Sequence, residues 1–186
     1  DHGTLFAAIE FYRVAKEAEI KPIIGLEGYM SARRMRDRDP QLDKRSTHII
    51  LLAENLTGYQ NLLKIASASQ LEGFYYHPRI DHEFLADHAA GLICTTACMK
   101  GEVPTAIRDK GIEGAIPVLD WYYQVFGREN LFLEVQSHDI AELPAVNRGM
   151  AELAARFGLG MIATNDVHYV EPKEARLQEI LLALQT

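Results

Sequence analysis

No stretch of the 186 residues approaches the ~20 consecutive apolar residues a membrane-spanning helix needs, so an α-helical membrane protein is excluded. No signal-peptide pattern opens the printed residues. Cysteine is scarce: Cys94 and Cys98 stand four apart with no framework around them. That rules out a disulfide-stapled scaffold and fits a reducing cytoplasm. Positive charge is in deficit, with 19 Lys and Arg against 26 Asp and Glu for a net charge of −7. A free-standing nucleic-acid binder needs basic surface and is disfavoured. An enzyme that brings its own cations to a phosphate is not, nor is one whose grip on DNA lies elsewhere. The Gly-rich turn of a dinucleotide-binding fold is missing after the first strand, and neither internal repeats nor low-complexity tracts occur. An initiator Met is also missing. The chain starts on Asp1-His2-Gly3 and runs straight into a helical pattern, as expected of a piece of a longer protein.

What is there is enough for one domain with a substantial core, at 48% hydrophobic residues. Leu5 to Ala18 reads as an amphipathic helix with Thr4 as its cap, and Ile23 to Glu27 as a short strand. Residues 31–46 form a charged loop with five arginines (33, 34, 36, 38 and 45), expected to be a solvated connection. Thr47 to Ala53 is a nearly all-apolar strand, and Asn55 to Gln70 a helix with Thr57 as cap. An aromatic-rich loop, Gly73 to Asp81, and a short helix, His82 to His88, precede the apolar strand Gly91 to Cys98. Lys100 to Phe126 holds two helical segments broken at Gly111 and Gly114. Strand Leu131–Gln136, helix Glu142–Phe157, a buried strand over Met161–Ala163 and a helix over Ala175–Leu184 complete the chain. This alternation predicts parallel strands joined by right-handed crossovers, in a closed or nearly closed α/β barrel.

The stretch Met161-Ile-Ala-Thr-Asn-Asp166-Val-His168-Tyr169 leaves an apolar strand and ends on polar groups. Asp166 and His168 are two apart, so extended backbone puts them on one face, where carboxylate and imidazole can grip a divalent cation. A turn with an Asp cap and a surface His accounts for that stretch equally well. The same placement recurs, however. His2, Glu27 and Cys98 also occur where an apolar strand gives way to loop, and in a barrel such points converge on one mouth. Mixed imidazole, carboxylate and thiolate ligands suit Zn²⁺, or Mn²⁺ or Fe²⁺ with fewer sulfurs. His48 stands at the start of its strand, the wrong end for that mouth, and by spacing alone reads as structural.

Asp1-His2-Gly3, Pro22-Ile-Ile-Gly-Leu-Glu27-Gly-Tyr29, His48-Ile-Ile-Leu-Leu-Ala53 with Gly58-Tyr-Gln-Asn-Leu62, Glu72-Gly-Phe-Tyr-Tyr76 and Thr164-Asn-Asp-Val-His168-Tyr169 follow one another along almost the whole chain. Together they resemble the polymerase and histidinol phosphatase (PHP) domain, in the form that opens bacterial DNA polymerase III alpha subunits. The resemblance implies a distorted seven-stranded (β/α) TIM-like barrel whose strand ends hold two or three divalent metal ions, Zn²⁺ first. It makes His2, Glu27, His48, Cys98, Asp166 and His168 metal ligands, overruling the spacing argument at His48. The family pattern begins with a His-x-His strand upstream of Asp1, so the first strand and several ligands are expected to be missing from this piece, with polymerase domains following it.

The activity implied is metal-dependent phosphodiester hydrolysis, a 3′–5′ exonuclease serving the polymerase, with Glu27 bridging cations and Asp166 completing the catalytic pair. Arg79 or the basic loop is a weak candidate for contact with the DNA backbone. Implied partners are DNA, polymerase domains of the same chain and other replicase subunits. The rival readings are a scaffold that braces the polymerase and binds a separate proofreading subunit, and a free-standing PHP phosphatase.

Overall fold

The computed structural model describes residues 1–185, and its elements follow the sequence periodicities closely. In order they are α1 (Ala8–Glu17), β1 (Gly25–Ser31), β2 (Ser46–Ala53), α2 (Leu56–Leu71), β3 (Phe74–Tyr75), β4 (His77–Ile80), α3 (His82–Asp87), β5 (Leu92–Thr95), α4 (Glu102–Phe126), β6 (Leu131–Gln136), α5 (Leu143–Phe157), β7 (Gly160–Thr164) and α6 (Ala175–Gln185). The aromatic stretch expected to be loop thus forms the short β3–β4 pair. Two further differences are local. Asn55, not Thr57, caps α2 by accepting from the Gly58 N–H at 3.1 Å, because the extended residue just before the helix is the one whose side chain reaches back. Gly114 stays helical, and only Gly111, at φ 71°, kinks α4.

Strand order is β3-β4-β1-β2-β5-β6-β7, with the two-residue β3 paired only to β4. Among the described residues the sheet is open, with β3 and β7 at its edges, so the architecture is α/β without a closed barrel. Nor are all strands parallel, as the alternation predicted. β1 runs parallel to β4, and β5, β6 and β7 run parallel to one another, while β2 is antiparallel to both β1 and β5. The reason is the connection: residues 32–45 carry no helix, and a crossover element is what a parallel return requires. Reversal of β2 puts its first residues at the rim where β1 and β5 end.

The sheet buries Leu26, Met30, Ile49, Leu51, Leu92, Leu131 and Leu133 against α2, α4 and α5, which contribute Leu62, Ile65, Leu119, Met150 and Leu153. Gly58 permits a close approach: a Cβ there would lie 1.8 Å from the Gly91 carbonyl oxygen. Across β5, β6 and β7 the buried Glu134 carboxylate accepts from Thr95 at 2.5 Å, from Gln136 at 3.1 Å and from Thr164. At the α3–α4 contact, His82 and Tyr122 meet the Glu102 carboxylate at 3.0 and 2.7 Å.

The basic loop is not the free connection expected. Its Asp43 is fully buried and takes a two-pronged contact from Arg33, at 2.9 and 2.5 Å. Arg79, also fully buried, donates to the carbonyls of Gly73, Asp43, Met35 and Asp37 at 2.8 to 3.1 Å. Four of five guanidinium N–H groups are thereby spent on backbone, which removes Arg79 from any phosphate. β7, expected to be buried, exposes Met161 and Ile162 as an edge strand. α1 buries only Ala15, and α6 exposes Leu177, Ile180, Leu181, Leu182 and Leu184. Among the described residues no helix is long and apolar enough to cross a membrane.

Candidate metal centre

Two strands and the opening residues deliver the nucleus of the site. The opening residues lie along β1: the Gly3 N–H donates to the Glu27 carbonyl at 2.7 Å and the Glu27 N–H to the Asp1 carbonyl at 3.0 Å, fixing His2 beside Glu27. On β2 the His48 N–H donates to the Lys100 carbonyl at 2.9 Å. Gly101 makes that approach possible, since a Cβ there would sit 1.9 Å from the Thr96 carbonyl oxygen. Between β5 and α4, Ala97 adopts φ 57°, a strained value for a side-chain-bearing residue, and turns Cys98 back toward the rim.

The result is one carboxylate oxygen held by two imidazoles. Glu27 Oε1 is 2.9 Å from His48 Nδ1 and 3.8 Å from His2 Nε2. Cys98 Sγ lies 3.7 Å from the same His48 nitrogen. One ligand atom from each of His2, Glu27 and His48 falls within a 4.8 Å group. A tetrahedral cation site with ~2.1 Å bonds has edges of ~3.4 Å, so these separations fit the donors of one such ion. Zn²⁺ suits two nitrogens, an oxygen and a sulfur.

Electrostatics point the same way. Burial pushes the Glu27 carboxyl up, but the His48 hydrogen bond and the charges of His2, His48 and His168 outweigh it and hold it below the usual carboxylate range. Burial pulls the His2 imidazole down, helped by His48 and His77 and opposed by Glu27 and Asp166, which keeps a lone pair free at neutral pH. Burial drives the Cys98 thiol up to about 11, with Asp166 and Glu27 adding to it against a Lys100 backbone hydrogen bond. Burial is the main cause of that rise, and coordination to a divalent cation would deprotonate the thiol outright.

A family model for the PHP domain matches residues 1–138, which include His2, Glu27, His48 and Cys98. The chain belongs to the PHP domain family. This PHP domain is 46% identical over its whole length to the DNA polymerase III subunit alpha of Thermus aquaticus, and 44% to that of Borreliella burgdorferi. The Deinococcus radiodurans subunit alpha is 41% identical, again over the whole chain. The chain spans only 14 to 16% of the length of these three relatives.

Asp166 and His168 stand in the loop after β7, looser than the nucleus. His168 Nδ1 lies 3.7 Å from Asp166 Oδ1 and 2.8 Å from the Asp166 carbonyl oxygen. Their charges nevertheless reach it: Asp166 acts on Cys98 and His2, and His168 on Glu27. Three further residues of the PHP domain's rim were not nominated as ligands by the sequence reading. Tyr29 stacks on His2 at 4.4 Å and on His77 at 4.5 Å, making a three-ring column. Its signal was simple alternation, because Tyr29 is two residues after Glu27 and shares its face. His77 had no such signal, since its partner is β1, distant in sequence. His138 accepts from the Asp166 N–H at 3.4 Å and, like the nominated ligands, follows a strand end. Beneath His48 a cavity of about 10 Å³, reaching Glu102 and Tyr122, has room for one water at most.

Proposed function

We infer that this PHP domain is the cation-dependent phosphodiesterase of a bacterial replicative DNA polymerase, acting in the cytoplasm as a 3′–5′ exonuclease during DNA replication. One observation carries the reading: His2, Glu27 and His48 meet at one open rim at ligand-to-ligand separations, with Cys98 against His48. Glu27 and Asp166 supply the carboxylates, and His2, His48, His168 and Cys98 supply the neutral donors, for two or three divalent ions with Zn²⁺ preferred over Mn²⁺ or Fe²⁺. Such ions would supply positive charge to the scissile phosphate and to the attacking and leaving oxygens. The residues themselves orient that charge. Glu27 is bonded to the His48 ring with His2 beside it, while the backbone His48 N–H to Lys100 bond fixes the strand position from which that ring projects. The rim is open and not an enclosed pocket, which suits a polymer end better than a small phosphate ester.

The test is nucleotide release from a primer 3′ end by the full-length protein with Zn²⁺ or Mn²⁺, beside the Asp166→Ala variant. Release that collapses in the variant supports the reading, and equal release removes it. A second reading, the scaffold, is favoured by the apolar faces left open on α1 and α6. Those faces fit packing against polymerase domains of the same chain or another replicase subunit. Metal content separates the two, because a scaffold purifies with little bound transition metal.

A further inference from the structure

The basic loop and the β3–β4 pair together carry a surface the cation site does not use. Arg34, Arg38, Lys44 and Arg45 are exposed, and their side chains form no hydrogen bond or ion pair among the described residues. Arg33 and Arg36, by contrast, are taken up by Asp43 and Glu72. Arg79 pins the backbone of the loop that carries these cations, of which Arg45 also acts on Asp109 of α4. Lys44 Nζ lies 5.5 Å from the centre of the Tyr76 ring, whose residue is 54% exposed. The next residue in sequence, His77, stacks on Tyr29, which stacks in turn on His2 beside Glu27.

We propose that the loop cations and the Tyr76–His77 rings form a track that binds single-stranded nucleic acid and leads its end to the cation site. Exposed cations on a pinned loop can pair with phosphates, and an exposed ring beside them offers a face on which any base can stack. The pairing of charge with ring is sequence-tolerant, as a track for an arbitrary strand must be. A purely electrostatic patch has no use for the exposed tyrosine, and an apolar docking face has none for the four cations. The proposal rests on the hydrolytic reading only for where the track ends.

The experiment uses the full-length protein and oligothymidylate carrying 5-bromodeoxyuridine near its 3′ end, irradiated in EDTA so that no hydrolysis intervenes, with crosslinks mapped by mass spectrometry. Crosslinks at Tyr76 or His77 are expected. Their yield should fall in Arg38→Ala/Lys44→Ala, with a slope of log affinity on log salt shallower by ~1.4 for two lost phosphate contacts. In metal-loaded protein, Tyr76→Ala should raise KM for release roughly 5- to 150-fold at unchanged kcat. Crosslinks confined to other parts of the protein, or their displacement by polyglutamate more readily than by unlabelled oligothymidylate, would overturn the track. Crosslinking at Tyr76 without any metal-dependent release would leave the track standing and remove the hydrolytic reading.

Discussion

Replacing Arg79 by Ala withdraws three hydrogen bonds from a loop that has no helix or strand of its own, and a fourth from Gly73. The bonds run to the carbonyls of Gly73, Asp43, Met35 and Asp37 at 3.1, 2.9, 3.0 and 2.8 Å. Bonds from a charged donor contribute ~1.5–3 kcal/mol each, a gross total of ~6–12 kcal/mol. Desolvating a guanidinium whose residue is 0% exposed offsets several kcal/mol of that. Some orphaned carbonyls regain water once the loop lifts. The net cost is therefore that of breaking a buried charge partnership, ~3–5 kcal/mol. It falls on local opening of residues 32–45, because the β1–β2 ladder does not depend on these bonds. At ~1.4 kcal/mol per factor of ten, amide exchange in the loop should accelerate roughly a hundredfold to a few thousandfold. The reporters are the N–H groups of Met35, Asp39 and Asp43, which donate to Asp81, Asp43 and Asp39. Hydrogen exchange read by mass spectrometry measures them, and β1 and β2 serve as internal controls. Arg79→Lys should behave nearly as badly, since one ammonium cannot span four diverging carbonyls. Loop exchange within threefold of wild type would refute the assignment of Arg79 as the pin.

Gly58→Ala should destabilise the domain by roughly 3 kcal/mol or more, because its Cβ meets backbone 1.8 Å away and α2 must back off β5; a denaturation midpoint close to wild type would contradict this. In metal-free protein Cys98, with its thiol at about 11, should alkylate slowly at pH 8 and quicken as pH rises. Its thiolate fraction there is about 0.1%, against roughly a quarter for a free thiol. Iodoacetamide kinetics followed residue by residue would expose a faster reaction. Burial raises the Glu102 carboxyl, but the bonds from His82 and Tyr122 win and hold it below its ordinary value. Its stabilising contribution is therefore full above the unfolded pKa of ~4.3 and fades as pH falls through the folded one. Stability measured from pH 7 to 3 should fall more steeply in wild type than in Glu102→Gln, and parallel curves would count against it.

Much of the local structure was legible in the residues. Apolar runs such as His48–Ala53 and Leu131–Gln136 became strands, and the 3.6-residue pattern of 143–157 became α5. The strand-end rule also nominated His2, Glu27 and Cys98, which the fold brings to one rim. It failed at His48 because the rule assumes parallel strands, and the resemblance to a family supplied what spacing did not. The helix-free loop between β1 and β2 was the overlooked clue to an antiparallel return. Arg79 was misjudged for a different reason. A lone Arg beside aromatics reads as a surface cation, and nothing local reveals that three carbonyls from a loop some forty residues away will enclose it.

The sequence by itself determined which segments are helix and which are strand, and which of their ends carry carboxylate, imidazole or thiol. Periodicity and side-chain chemistry are properties of neighbouring residues, so they can be read in order. Strand direction, the openness of the sheet, the three-ring column of His77, Tyr29 and His2, and the capture of Arg79 were decided by the tertiary structure alone. Each depends on backbone groups from distant segments competing for the same partners, and that competition has no local signature.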